Sequence, residues 1–185
     1  PLQLLAFCLM PNHFHLVVRP EKDNHLSRWM QWLLTAHVRH HHKRYGTDGR
    51  IWQGRFKSFP IQADGHLLTV IRYVERNALR AGLVSAAQDW RYGSLQIRMR
   101  GHLNDYLTAS PVPLGDNWVN YVNEPQTADE LEHLRRSVNK EAPFGQATWT
   151  VEIATQLGLE SSLRSPGRPR LGQTTRQQCE LATTG

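Results

Sequence analysis

Cysteine is scarce in these 185 residues: Cys8 and Cys179 are the only two. A pair cannot build the disulfide framework of a small secreted domain, and the scarcity fits a reducing compartment. Long apolar runs are missing as well. The longest, Leu4 to Met10, falls far short of the roughly 20 residues that span a bilayer. No charged segment leads into an apolar one at the start, so nothing supports a secretory signal. Internal repeats are also lacking. Acidic residues are few relative to basic ones, 16 against 22, which excludes an acidic solvating protein and makes a polyanion the first partner to consider. The imbalance sits in one half. Residues 1–100 hold 15 basic and 6 acidic side chains, whereas residues 101–185 hold 7 and 10. With 39% hydrophobic residues the chain can still bury a core.

Leu4–Met10 and His13–Arg19 flank the turn pair Pro11-Asn12, the pattern of a β-hairpin. Strand alternation then places His13 and His15 on one face, with Phe14, Leu16 and Val18 as an apolar set on the other. Helical spacing of apolar residues predicts a helix over 24–45, ended by Gly46. A second is predicted from about Asp64 to Ala81, ended by Gly82, with an extended stretch from Ile51 to Gln62 between them. The order strand, strand, helix, strand, helix predicts an α+β fold: a ferredoxin-like split βαβ antiparallel sheet with helices on one face, plus a C-terminal helical extension. The expected division is a basic folded domain over 1–100, a surface-wrapped linker and helical region over 101–160, and a flexible basic tail over 161–185. Thr127-Ala128-Asp129-Glu130 is a capping-box signature for a helix through Asn139, and Trp149 to Leu157 suggests another.

Chemistry points to a few side chains. Two imidazoles in a His-x-His strand can share a metal ion, although such a pair is more often structural. Tyr73 and Asn77, four apart, share a helix face offset from the Leu67/Ile71/Val74/Ala78 stripe. Asn in mid-helix is slightly unfavourable, and metal ligation would give it a reason. Tyr, with a pKa near ~10, is a poor nucleophile unless its target is strongly polarised, as a metal-gripped phosphodiester is. His37 and His40–His42 read as an exposed basic helix end favoured by the helix dipole, and Cys8 as a small buried hydrophobe.

Three blocks carry a resemblance: Cys8-Leu-Met-Pro-Asn-His-Phe-His-Leu-Val-Val18, Trp52-Gln-Gly-Arg-Phe-Lys57, and Arg72-Tyr-Val-Glu-Arg-Asn-Ala-Leu-Arg-Ala-Gly-Leu-Val84. In this order they closely resemble the REP-associated tyrosine transposases, single-tyrosine HUH enzymes of bacterial insertion sequences. The resemblance covers residues 5–95, and Arg135–Asn139, Pro143–Gly145 and Gly167–Arg170 are similar to that family's C-terminal region. It implies metal-dependent cleavage and strand transfer of single-stranded DNA at hairpins, with Tyr73 as nucleophile and a 5′-phosphotyrosine intermediate. His13, His15 and Asn77 would be ligands of Mg²⁺ or Mn²⁺. The implied partner is hairpin DNA, with the chain a monomer or homodimer, in the cytoplasm at the nucleoid and off membranes. Expected DNA contacts are Arg50, Arg55, Lys57, Arg72, Arg76 and Arg80, with Trp52 and Phe56 as stacking platforms or core. Arg168 and Arg170, in an AT-hook-like Gly-Arg-Pro-Arg, would suit a narrow minor groove.

This chain departs from the family pattern in three places. It opens directly on the hairpin, where the family has a strand and helix first, so an N-terminally incomplete domain is expected. Ala78 stands in place of a proline, which predicts a straighter helix past Asn77. Asp89–Ser94 replaces a Trp-Ser-Ser block. The rival expectation is a catalytically inactive relic that only binds DNA hairpins.

Overall fold

The computed structural model describes residues 2–101 and 106–164; Arg168 and Arg170 lie outside the described residues. Strands β1 (Leu2–Leu9) and β2 (Phe14–Pro20) form the expected antiparallel hairpin, with Cys8 opposite His15 and Leu9 opposite Phe14. Met10 N–H donates to the His13 carbonyl at 2.8 Å and closes the turn. An irregularity between Leu4 and Ala6 shifts the register, so both Leu5 and Ala6 are buried.

The outer edge of β1 is not left open. Leu9 N–H donates to the Tyr92 carbonyl, Phe7 N–H donates to Ser94 Oγ, and Thr108 N–H donates to the Leu4 carbonyl. Such pairing matters because an unpaired backbone edge is costly when buried and adhesive when exposed. Among the described residues, no backbone hydrogen bond joins the outer edge of β2 to another segment.

Helix α1 spans His25–Tyr45 and ends at Gly46 in the left-handed conformation (φ 62°), as its spacing predicts. The extended stretch 51–62 follows without forming a strand. Among the described residues its one ladder contact is a parallel bridge from Ile61 to Phe144. Pro60 has no N–H to offer, and its carbonyl accepts from Phe144 N–H at 2.8 Å.

The second predicted helix appears as α2 (Gly65–Glu75) and α3 (Asn77–Arg80), interrupted at Arg76. Asp64 caps α2 by accepting from His66 N–H at 2.8 Å. After α3 the chain turns through Gly82: Gly82 N–H donates to Leu79 and Leu83 N–H to Ala78, the Schellman pattern. Ala78 lies past that interruption, within α3, and is fully buried.

The C-terminal half is α4 (Ser94–Met99), α5 (Trp118–Asn123), α6 (Ala128–Lys140), α7 (Ala147–Leu157) and α8 (Glu160–Leu163). The capping box at Thr127 and Glu130 forms as its sequence signature predicts. The stretch expected to wrap a surface does more than that. Trp118 and Val122 of α5, with Leu134 and Phe144, share one core with Leu5, Val17, Leu67, Ile71, Val74 and Ala78. Apolar area removed from water stabilises by about 25 cal/mol per Å², and here both halves of the chain contribute to the same core.

Candidate functional site

The hairpin's two faces are assigned differently from the simple alternation of apolar and polar residues. Val17, on the His15 face, is buried, whereas Phe14, Leu16 and Val18 are half-buried. Helix α2 packs on the His15 face and brings Tyr73 to it. The His15 and Tyr73 rings meet edge to face with centroids 5.8 Å apart. On the other side, Phe14 meets Trp52 at 5.4 Å, and Trp52 lies 4.8 Å from His37 of α1. The sequence-level expectation of an apolar core face opposite the histidines is thus corrected: the histidine face is the core face, because α2 lands there.

His13 and His15 stand side by side, centroids 4.9 Å apart. His13 Nδ1 lies 2.7 Å from Asn12 Oδ1. With Asn12 Oδ1 as acceptor, Nδ1–H is the donor, and the contact leaves Nε2 unengaged by Asn12. Sequence reasoning treated Asn12 as a turn residue only; its second role is to orient a neighbouring imidazole, as outer partners of metal-binding histidines do. His15 Nε2 is buried with no hydrogen-bond partner. Burial first, then positive charge at His13 and Arg80, pushes the His15 pKa down to about 4, so the ring is neutral at pH 7.

Tyr73 and Asn77, both buried, are joined by Arg80. The Arg80 guanidinium donates to Tyr73 Oη at 3.3 Å and to Asn77 Oδ1, and lies over the Tyr73 ring 4.8 Å from its centre. Asn77 Nδ2 is buried and unpartnered. His13, His15, Tyr73, Arg80 and Asn77 therefore form one contiguous series across three elements and the turn.

The donor set fits a divalent ion. Two imidazoles and an amide oxygen supply donor atoms, and His15 Nε2 is a buried polar atom with no hydrogen-bond partner. The set carries no negative charge, and among the described residues no group of three His, Cys, Asp or Glu is placed to hold a metal. Hard cations such as Mg²⁺ prefer oxygen, so anionic oxygens from a substrate would have to complete the shell.

The expected DNA contacts separate into groups. Arg72 is corrected outright: it is 4% exposed, donates to the Glu124 and Pro125 carbonyls, and stacks on Tyr121 at 3.9 Å. Arg76 donates to the Val122 and Asn123 carbonyls. Both satisfy carbonyls at and just past the end of α5, groups that lack partners within that helix. Arg80, one turn further, is the exposed member of the series and reaches the site. Arg50, Arg55 and Lys57 are exposed and make no ion pair among the described residues. Arg55 lies over the half-buried Phe56 ring at 5.7 Å. Trp52 is half-buried, its ring packed near both Phe14 and His37 and its indole N–H unpartnered.

Sequence reasoning also missed Glu75. Its side chain is fully buried: Oε1 accepts from Ser94 Oγ at 2.6 Å and Arg98 Nε at 2.8 Å, and Oε2 accepts from Trp118 Nε1 at 2.8 Å. Arg98 in turn donates to the Leu5 carbonyl. An acid two residues from Tyr73 on an apolar helix was the available signal, since such a group needs partners.

Comparison with known proteins gives two matches. The family described as IS200-like transposase matches residues 1–77, a span that includes His13, His15 and Tyr73 and ends on Asn77. A Haemophilus influenzae protein described as a REP-associated tyrosine transposase is 30% identical over 105 residues, covering 51% of this chain. The matched region spans 59% of that relative's length. No solved structure matches the chain.

Proposed function

We propose, from the premise that residues 1–77 match the IS200-like transposases, that this chain cleaves and rejoins single-stranded DNA beside a hairpin through Tyr73. The observation that carries the proposal is the convergence of the Tyr73 and His15 rings, 5.8 Å apart, with Asn77 tied to Tyr73 through Arg80. The Tyr73 oxygen would form a bond to the scissile phosphorus as the bond from phosphorus to the 3′-oxygen breaks. The products are a 5′-phosphotyrosine and a free 3′-hydroxyl, and the retained phosphodiester energy lets rejoining proceed without ATP.

His13, His15 and Asn77 would hold Mg²⁺ or Mn²⁺, which when bound supplies charge neutralisation at the phosphate oxygens. The chain's own residues do the positioning. Asn12 sets the His13 tautomer, burial keeps His15 neutral, and Arg80 holds the Tyr73 hydroxyl. Arg80 engages one of the two lone pairs of Asn77 Oδ1; by turning away it would leave that oxygen wholly to a metal, and the phosphate is the natural acceptor for its guanidinium.

The test is incubation of a single-stranded hairpin oligonucleotide with the protein and Mn²⁺, followed by denaturing electrophoresis. A covalent adduct is expected that disappears in Tyr73→Phe. An adduct of equal yield in that variant would remove Tyr73 from the nucleophile's role. Tight hairpin binding with no adduct at any Mn²⁺ concentration would instead support the non-catalytic hairpin binder.

A further inference from the structure

The outward face of α1 carries charge of one sign. The helix carries Arg28, Arg39, Lys43 and Arg44 and not one Asp or Glu. At 100° per residue, Arg28, Trp32, Thr35 and Arg39 fall on one face, while Met30 and His37 point the opposite way. The packing agrees, for Met30 is buried and His37 meets Trp52. Trp32 is 63% exposed, an unusual position for an indole, which normally buries much of its area. Around it, Arg28, Gln31, Thr35, Ala36 and Arg39 line a shallow groove of about 290 Å³.

We infer that this groove is a binding track for single-stranded nucleic acid, in which Trp32 stacks on an unpaired base and Arg28 and Arg39 contact phosphates on either side. The inference deepens the function proposed above and rests on it for the class of partner. Charge selects a polyanion and disfavours a second copy of the chain, whose identical face would be repelled. The groove lacks the Leu- and Phe-rich stripe with which an amphipathic helix enters a bilayer. A single exposed indole among cations suits an unpaired base, because every base has a π-face and only an unstacked one leaves it free. The two arginines are eleven residues apart, about 16 Å along the helix, which spans several phosphates.

The experiment is fluorescence anisotropy with a labelled 20-mer of oligothymidine, which folds into no hairpin. It therefore reports this contact whether or not an adduct ever forms. Trp32→Ala should weaken binding about 5- to 100-fold, as expected for losing one stacked base, and Trp32→Phe should restore most of it. In Arg28→Gln/Arg39→Gln the slope of log affinity against log salt should fall by about 1.4, or ~0.7 per lost phosphate contact on a single strand. Unchanged affinity in Trp32→Ala together with an unchanged salt slope would overturn the inference. So would a greater loss for a 20-base-pair duplex than for the single strand. A shift in sedimentation on substitution, or loss of binding to phosphatidylserine vesicles with oligothymidine binding intact, would assign the face to self-association or to a membrane instead. Circular dichroism of each variant should match the parent, since the substituted side chains lie outside the core.

Discussion

Replacing Glu75 by alanine should destabilise the fold more than any surface substitution can. The carboxylate is fully buried and accepts three hydrogen bonds, from Ser94, Arg98 and Trp118. Its removal strands the Arg98 guanidinium, whose side chain is only 11% exposed, together with a buried indole N–H. Breaking one side of a buried ion pair costs about 3–5 kcal/mol, chiefly because the remaining charge is uncompensated. Against a typical domain stability of roughly 5–15 kcal/mol, that is enough to populate unfolded chain. Glu75→Gln keeps the shape and one acceptor oxygen but sets an amide N–H against a donor, so a smaller loss of about 1–3 kcal/mol is expected. Urea unfolding followed by tryptophan fluorescence and by circular dichroism measures both, and coincident transitions justify the two-state treatment. A Glu75→Ala variant within about 1 kcal/mol of the parent would refute the claim that this carboxylate ties α2 to β1, α4 and α5.

Other outcomes follow from the site. The His15 pKa is lowered to about 4 in the fold, from an unfolded value of 6.5. The unfolded chain therefore binds the extra proton first as pH falls. Stability from this group is fully present above pH 6.5 and is lost between pH 6.5 and 4, by up to roughly 3 kcal/mol. Urea midpoints taken in a chelator across that range should fall with acidification, and fall less in His15→Asn. Arg80→Gln removes the cation that occupies Asn77 Oδ1. Without DNA, Mn²⁺ should bind this variant more tightly, by about 10-fold or more if a charge-assisted hydrogen bond of about 1.5–3 kcal/mol no longer competes. Isothermal titration reads this directly, and equal or weaker binding would count against the competition.

Much of the fold can be read from local pattern. The hairpin follows from Pro11-Asn12 between apolar runs, α1 from its spacing and Gly46, and α6 from its capping box. Each depends on residues within a few positions of one another. The interruption at Arg76 could not be read that way, because the helical spacing of Leu67, Ile71, Val74 and Ala78 runs straight through it. Nor could the extended stretch 51–62 be resolved, since whether it becomes a strand depends on a neighbour distant in sequence.

Arg72, Arg76 and Arg80 show where local pattern ends. Spaced by four, they look equivalent, three cations along one helix face. The arrival of α5 engages Arg72 and Arg76 through its C-terminal carbonyls and leaves Arg80 to reach Tyr73 and Asn77. The histidines teach the same lesson, since alternation places His13 and His15 together but only the landing of α2 buries His15. By itself the sequence determined the hairpin, α1 and α6, the basic first half and the residues able to do chemistry, because those are properties of the chain and its near neighbours. Only the tertiary structure decided which cations are spent on carbonyls, which imidazole is desolvated and which indole is left bare. Burial and partnership are set by surfaces that meet from far apart along the chain.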